Sequence, residues 1–182
     1  MKKFLFVVAA LASCMTVSAK YWFGGTIGFD SDSYYDTDNK YHALQIAPSF
    51  GMAIEDNLEL GVDLTIGDTK SAAGQKAFSF GFAPFLRYTF LTEGNFNMFV
   101  QGGFEYGIYS PSGYNYWSLT FQVQPGIRYM MSDHFSLVAK FDGLYFTHES
   151  RPDALPPYGT FKNNVGAGFD FSDLKFGLIY EF

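Results

Sequence analysis

The last nine residues of the chain combine strict alternation with an aromatic C-terminus. A period of two residues is the pattern of a β-strand whose two faces meet different surroundings. One face is apolar up to the final residue, whereas the other is mixed. The apolar face comprises Leu174, Phe176, Leu178, Tyr180 and Phe182, and the mixed face comprises Lys175, Gly177, Ile179 and Glu181. Any fold of this chain must therefore give an apolar environment to a strand that reaches the end of the polypeptide.

The same alternation occurs in seven segments upstream, which are Tyr21–Asp30, Tyr41–Ile54, Leu58–Gly67, Ala77–Phe90, Phe96–Ile108, Tyr116–Met131 and Phe135–Thr147. The segments are joined alternately by long polar connections and by short turns, the turns being Glu55–Asn57, Leu91–Asn95 and Ser132–His134. Strands with one apolar and one polar face, joined in this way, are typical of transmembrane β-barrels. The sequence predicts an all-β fold, an antiparallel up-and-down transmembrane β-barrel with both termini at the short-turn end.

The number of strands depends on the segment before the last strand. From Val165 to Phe171 the apolar residues are odd-numbered, whereas from Leu174 onward they are even-numbered. Ser172-Asp173 is either a turn that creates a ninth strand or a bulge, which inserts one residue and exchanges the two faces. An even strand number with both termini at one end requires the bulge, so we predict eight strands.

A short internal repeat places Pro48, Pro84 and Pro125 within predicted strands, each followed by an aromatic residue and a polar turn. Repeats of short strands also occur in solenoids and β-sandwiches, which leaves a soluble fold as the alternative. Proline disfavours a central strand of any sheet and is tolerated near a bulge. The alternation of long and short connections still favours the barrel.

The first 19 residues have the three parts of a secretory signal peptide. These are the basic start Met1-Lys2-Lys3, the apolar stretch Phe4–Leu11 and the small-residue cleavage site Val17-Ser18-Ala19. The apolar stretch is too short to cross a bilayer as a helix. We predict a signal peptide at residues 1–19, cleaved after Ala19, and a barrel domain at residues 20–182. The alternative is a lipoprotein box, Leu11-Ala12-Ser13-Cys14, with lipidation of Cys14.

Composition excludes several other classes of protein. The chain has 18 acidic and 12 basic residues and a net charge of −6, so we expect no nucleic-acid partner. Cys14 is the only cysteine, which rules out a disulfide or a thiolate metal site in the barrel domain. Aromatic residues make up 20% of the chain although its mean hydropathy is +0.00, as alternating lipid-facing and lumen-facing residues produce. We predict no cofactor and no metal site.

Strand parity assigns a balanced set of charges to the interior of the barrel. The set comprises Glu59, Asp63, Arg87, Glu105, Arg128, Lys140, Asp142 and Lys175. An isolated buried charge is costly, so these acids and bases are expected to pair. The interior of an eight-stranded barrel is just wide enough for side chains, and we predict a lumen closed by paired charges. The alternative is a narrow porin-like pore for ions or small solutes.

The proline-containing hairpins and the terminal segment Phe176–Phe182 carry a family resemblance. The chain resembles the small bacterial outer-membrane β-barrel domain family, the group around OmpX-like, OmpA-barrel-like and "porin family" proteins. The resemblance implies a location in the bacterial outer membrane, contact with its lipid, and reading of Phe176, Tyr180 and Phe182 by the outer-membrane barrel assembly machinery. We also expect a monomer. The family shares an architecture and not one function, so a structural or surface-interaction role is the predicted function.

Among the three histidines, His42, His134 and His148, the last belongs to the only pattern that suggests catalysis. His148-Glu149-Ser150 resembles the His-x-Ser pair of outer-membrane lipid A deacylases, in which a histidine activates a serine. The resemblance is weakened because Arg151 follows the serine, Lys162 stands twelve residues after it, and parity predicts that His148 points inward. We predict no enzyme and no catalytic residue, and keep a lipid A-modifying enzyme as the second alternative.

Tyrosine and tryptophan are concentrated in or beside the predicted long connections, at Tyr34, Tyr35, Tyr109, Tyr114, Tyr116 and Trp117. Such side chains either bind a partner at an exposed surface or form an aromatic girdle at the lipid headgroups. The sequence names no ligand for them.

Overall fold

A computed structural model describes residues 20–33, 40–70, 76–111, 115–150, 163–168 and 174–182 of the chain. The predicted signal peptide, the alternative lipidation site at Cys14 and the choice between bulge and turn at Ser172-Asp173 lie outside these residues. So do Tyr34, Tyr35, Tyr114, Arg151 and Lys162. In the part of the chain that the structure describes, no helix is long and apolar enough to cross a membrane.

The described residues form ten β-segments. They are β1 Tyr21–Ser33, β2 Lys40–Glu55, β3 Leu58–Lys70, β4 Lys76–Glu93, β5 Phe96–Pro111, β6 Tyr116–Met130, β7 Phe135–Lys140, β8 Leu144–Ser150, β9 Asn163–Ala167 and β10 Lys175–Glu181. Both β7 and β8 pair with β6 and together make the seventh strand. Likewise β9 pairs with β8, β10 pairs with β7, and together they make the eighth strand. Several strands extend beyond their predicted ends because polar residues continue the backbone ladder past the apolar stretch.

Each strand pairs antiparallel with its neighbours, and the first strand closes on the last. The closure runs from the pair Trp22↔Glu181 to the pair Ile27↔Phe176. The result is a closed eight-stranded antiparallel barrel, which confirms the predicted fold. Short turns join β2 to β3, β4 to β5 and β6 to β7 at the end where Lys20 and Phe182 also lie, which we call the short-turn end. Gly94 in the second turn has a φ of 56°, a backbone conformation that glycine adopts without steric cost.

The strand prolines lie where a ladder is interrupted. The pairing of β2 with β3 is interrupted between Ile46 and Ser49, on either side of Pro48. The pairing of β4 with β5 is likewise interrupted between Phe82 and Phe85, on either side of Pro84. Pro125 lies opposite the break between β7 and β8, where the Phe141 N–H donates to its carbonyl oxygen at 3.0 Å. Because proline has no N–H to donate, a gap in the pairing on one side is the place where a sheet accepts it.

The break in the seventh strand exchanges its two faces. Between the pairs Val123↔Leu144 and Gly126↔Lys140, two residues of β6 face three residues, 141–143, of the seventh strand. One inserted residue reverses side-chain parity. Leu137 is therefore outward in β7, whereas Leu144 is outward in β8, with exposed fractions of 46% and 58%.

The predicted inward orientation of His148 is wrong for this reason. Its pairing partner Leu119 belongs to the outward set of β6, and its ring centroid lies 5.7 Å from that of the exposed Trp117. Parity counted from β7 fails at His148 because the count crosses the inserted residue. The side chain faces the surroundings of the barrel and not its lumen.

The outer surface of the barrel is an apolar belt. Its exposed side chains include Phe23, Ile46, Phe50, Leu64, Ile66, Phe80, Leu86, Val123, Leu137 and Leu178. A belt of this kind is stable only where lipid replaces water against it.

Leucine-to-arginine substitutions on this belt should have effects that depend on depth. Leu64 lies half-way along the outward face of β3. Replacing it with arginine is expected to lower the free energy of unfolding by about 2–4 kcal/mol. The matched control is Leu91→Arg, which is also outward but lies beside the turn at Gly94, where the cost is about 0–1 kcal/mol. Urea titration of the protein in lipid vesicles measures both. Equal losses for the two variants would contradict the assignment of the belt to lipid.

Candidate functional site in the lumen

The polar interior is organised around Arg87 of β4, which is only 2% exposed. Its Nη1 donates to Glu59 Oε2 on β3 at 3.0 Å, and its Nη2 donates to Gln101 Oε1 on β5 at 2.9 Å. A guanidinium offers several donors in a fixed plane, which suits it to holding two partners at once. Arg87 thus links three neighbouring strands from inside the barrel.

Three aromatic rings surround this guanidinium. The Arg87 Cζ lies 5.1 Å from the ring centroids of Trp22 and Phe85 and 4.7 Å from that of Phe99. We call Trp22, Phe85 and Phe99 the aromatic cage. A cation near the faces of aromatic rings is attracted by their quadrupoles, and the attraction grows when water is excluded. All three rings are buried, so the cage and Arg87 fill the lumen at this level.

Glycine on the neighbouring strands makes room for the cage. The Trp22, Phe85 and Phe99 rings occupy the positions where Cβ atoms of Gly51, Gly61 and Gly126 respectively would lie. Any other residue at these glycines would push a ring away from Arg87. This is the reason that inward glycines alternate with inward aromatic residues at this level of the barrel.

A second arginine extends the network toward the short-turn end. Arg128 on β6 binds Glu59 Oε1 at 2.7 Å and Glu181 Oε1 on β10 at 3.2 Å. Glu59 therefore bridges Arg87 and Arg128. Its carboxylate lies between two guanidinium groups and offsets part of their mutual repulsion at close range.

Asp63 is the centre of a second buried cluster. Lys140 Nζ lies 2.8 Å from Asp63 Oδ2, and Ser49 Oγ donates to Asp63 Oδ1. Gln101 also donates to Asp63, at 3.4 Å, and so connects this cluster to Arg87. Both partners of the ion pair are buried, so each charge is held by its counterion and by hydrogen bonds.

The remaining predicted charges lie farther from the aromatic cage. Lys175 Nζ is 3.1 Å from Asp142 Oδ1, and Gln124 Nε2 donates to the same oxygen at 3.1 Å. These two charged side chains are 24% and 34% exposed, so the pair is hydrated. The Glu105 carboxylate lies over Gly81, and no basic side chain of the described residues is within ion-pair distance of it.

The structure thus brings seven of the eight predicted lumen charges into ion pairs, with Glu105 as the exception. The network also contains five residues outside the predicted set, which are Trp22, Phe85, Phe99, Gln101 and Glu181. The sequence does indicate the three rings of the aromatic cage, because each inward aromatic residue on one strand lies opposite an inward glycine on the next strand. Glu181 had inward parity in the last strand and lay outside the predicted set.

The predicted assembly residues Phe176, Tyr180 and Phe182 all lie on the outer face of the last strand, with exposed fractions of 61%, 36% and 70%. The Phe182 N–H donates to the Tyr21 carbonyl oxygen at 3.0 Å. The Tyr180 ring packs edge-on against Phe135 and Phe182, with centroid distances of 4.9 and 5.1 Å. These residues form an aromatic edge at the short-turn end.

The histidines are separate from the lumen network. His134 lies in the turn before β7, where its Nδ1 is 2.9 Å from the Glu181 carbonyl oxygen. His148 Nδ1 is 2.8 Å from Asn163 Oδ1 on the outer surface. The side chain of His42 lies outside the described part. Within the described ranges, no three His, Cys, Asp or Glu side chains converge to hold a metal ion.

Comparison with known proteins assigns this architecture to a family. Residues 4–182 match the outer membrane protein β-barrel domain. The chain belongs to this family. Membership of the outer membrane protein β-barrel family places the protein in the bacterial outer membrane.

Solved structures agree with the family in fold. Neisserial surface protein A is 17% identical with a TM-score of 0.62, over 91% of this chain and 99% of that chain. A major outer membrane protein from Thermus thermophilus is 10% identical with a TM-score of 0.55, over 91% of this chain and 100% of that chain. At such identities the likeness concerns the fold alone. A search of curated proteins found no match.

Proposed function

We propose that this protein is a non-enzymatic outer-membrane barrel with a closed lumen, which acts through its structure or its exposed surface. The observation that carries the proposal is the buried Arg87, held by Glu59 and Gln101 inside the aromatic cage. A permeating ion would have to displace rings and separate charges that are buried together. Separating a buried pair is costly because each charge is left without its partner.

We also propose which partners contact the outside of the barrel. The apolar belt favours outer-membrane lipid as the main contact, and the aromatic edge at Phe182 favours recognition by the barrel assembly machinery. We propose that the protein is exported with a cleaved signal peptide and acts as a monomer.

Planar-bilayer recording tests the closed lumen. The wild-type protein is expected to give no reproducible conductance steps, whereas the double variant Phe85→Ala, Phe99→Ala should conduct because it removes two walls of the cage. The control is Phe104→Ala, Phe121→Ala, which removes two outward rings 6.3 Å apart and should remain silent. Clean, reproducible steps from the wild-type protein would favour the narrow porin-like pore instead.

A lipid A-modifying enzyme is the second candidate, and one observation favours it. Ser150 pairs with the outward Trp117, so it lies on the same outer face as His148, whose ring is oriented by Asn163. A histidine held by a third group can activate a serine for acyl transfer. The acidic residue that usually holds the histidine is replaced here by an amide.

Lipid A mass spectrometry on cells with and without the protein distinguishes this candidate from the first. The non-enzymatic proposal expects identical acylation in cells that carry the wild type, His148→Ala or Ser150→Ala. Loss of one acyl chain that requires both His148 and Ser150 would establish a deacylase and overturn the proposal.

A further inference from the structure

The apolar belt contains a recess of about 680 Å³ where the first strand closes on the last, which we call the seam recess. Its floor lies at Gly25 on β1 and Pro48 on β2, which are paired with each other. Gly25 belongs to the same outward set as the exposed Phe23 and Ile27. Glycine has no side chain and proline has only a short ring, so the floor lies below the side chains around it.

Two rows of bulky outward side chains flank this floor. Both rows cross the seam between β1 and β10 and follow the pairing of the strands. Toward the short-turn end the row comprises Phe23 and Tyr180, and on the opposite side it comprises Ile46, Ile27 and Phe176. The seam recess is therefore a furrow with a wall on either side, whereas the rest of a barrel surface is convex.

The surface of the seam recess is hydrocarbon. Thr26 is buried toward the lumen, so the hydroxyl of Tyr180 is the only polar side-chain group that the described lining residues present on the outer face. The backbone of the floor is paired in the ladders that join β1 to β2 and to β10. Its polar groups point along the sheet and not into the furrow. The ligand that matches this surface is a hydrocarbon chain.

The seam recess rises obliquely from the short-turn end into the membrane, because the strands of such barrels are tilted. The row that crosses its floor reaches Leu137 on β7, close to the short turn at His134, whereas at Pro48 on β2 it is farther from the turn at Glu55. The Tyr180 ring at its lower end stacks on His134 with a centroid distance of 5.8 Å. Tyrosine is enriched where hydrocarbon meets the lipid headgroups. The furrow thus begins at the headgroups and extends into the hydrocarbon.

The position of the seam recess identifies the lipid. It is continuous with the apolar belt, which lipid covers, and the short turns of such barrels face the periplasm. The periplasmic leaflet of the bacterial outer membrane consists of glycerophospholipid, whereas lipid A occupies the outer leaflet. Between apolar surfaces in a membrane, association is driven by close packing. A chain in the furrow contacts the floor and both rows, and so gains more dispersion attraction than a chain on the convex surface.

We propose that the seam recess binds one acyl chain of a glycerophospholipid from the periplasmic leaflet. The chain lies over Gly25 and Pro48 between the two rows, and the headgroup lies beside Tyr180 and His134. The site rests on the outer-membrane location of the barrel. It goes beyond the closed-lumen function and does not depend on whether the lumen conducts.

Isoleucine methyl NMR signals of the folded protein in deuterated detergent micelles test this site. The probe is protonated 1-palmitoyl-2-oleoyl-phosphatidylethanolamine, added in increasing amounts. Its chain should give saturable nuclear Overhauser effects to the methyl groups of Ile27 and Ile46, which line the seam recess. Ile108 is outward on β5 and is the internal reference, which should show no saturable contact. Lipid A with six acyl chains, added at the same concentration, should not displace the probe.

Matched variants assign the contact to the furrow. Leu178→Trp and Leu137→Trp each fill the seam recess with a ring from an outward side chain, with Ile46 as the reporter. Each should weaken binding of the probe about tenfold or more, because the ring takes the place of several methylene groups of the chain. The control is Leu86→Trp, which is equally outward on β4 but does not line the seam recess, and should bind as the wild type does. If one filling variant does not fold, the other decides the question.

Three results would overturn the proposal. They are contacts to Ile27 and Ile46 that never saturate or that match those to Ile108, displacement of the probe by lipid A, and equal binding by the filling variants and Leu86→Trp.

Discussion

Replacing Arg87 with alanine is expected to lower the free energy of unfolding by about 3–5 kcal/mol, because it breaks a buried ion pair from one side. The change leaves Gln101 Oε1 without its donor and Glu59 with Arg128 as its remaining partner. It also leaves a cavity between the rings of the aromatic cage, which adds to the loss. Urea unfolding in lipid vesicles, followed by tryptophan fluorescence, measures the difference.

The matched control for Arg87 is Lys175→Ala. Lys175 also forms a lumenal ion pair, with Asp142, but both side chains of that pair are partly hydrated. Pairs of this kind contribute about 0–1 kcal/mol. Arg87→Ala and Lys175→Ala variants of equal stability would show that the caged network does not hold the barrel together.

Replacing Phe182 with aspartate is expected to remove most of the protein from the outer membrane of living cells. The Phe182 ring is 70% exposed and packs on the edge of Tyr180, so its loss costs the folded barrel little. The proposed role of the ring is recognition during assembly. The substitution should therefore abolish insertion in cells and leave spontaneous folding into lipid vesicles nearly unchanged, both read from the heat-modifiable band in gel electrophoresis.

Phe90→Asp is the control for this experiment. Phe90 lies on the outer face near the same end of the barrel and is 54% exposed, but it is not at the chain terminus. It should insert in cells. Normal insertion of the Phe182→Asp variant in cells would contradict a recognition role, and failure in vesicles as well would show a folding defect instead.

The fold was predictable because alternate residues face lipid, which favours apolar side chains, and the lumen, which accommodates polar ones. On β4, Phe78, Phe80 and Phe82 are exposed on the outer face while Ala83 and Arg87 are buried in the lumen, and the sequence alternates accordingly. The predicted start of β3 at Leu58 is also observed, because the turn before it is too short to allow another register.

The interior was less predictable because hydropathy does not distinguish a ring that meets lipid from a ring that meets a guanidinium. Phe82 and Phe85 of β4 carry the same side chain, yet Phe82 is exposed on the outer face and Phe85 is buried in the lumen, and only parity separates them. Parity in turn fails wherever the backbone inserts a residue, as it does before His148. The partners of each charge depend on the stagger of strands that are distant in sequence, such as those of Glu59 and Arg128.

The inserted residue in the seventh strand also bears on how such barrels diversify. Loss of one codon within residues 141–143 would leave two residues opposite Gln124 and Pro125, so the ladder would become regular while Leu144 stayed opposite Val123 and faced lipid. The strand therefore tolerates a change of one residue in length at this break without exchanging the side chains of its two faces. A barrel lineage can gain or lose a residue here and keep its surface chemistry.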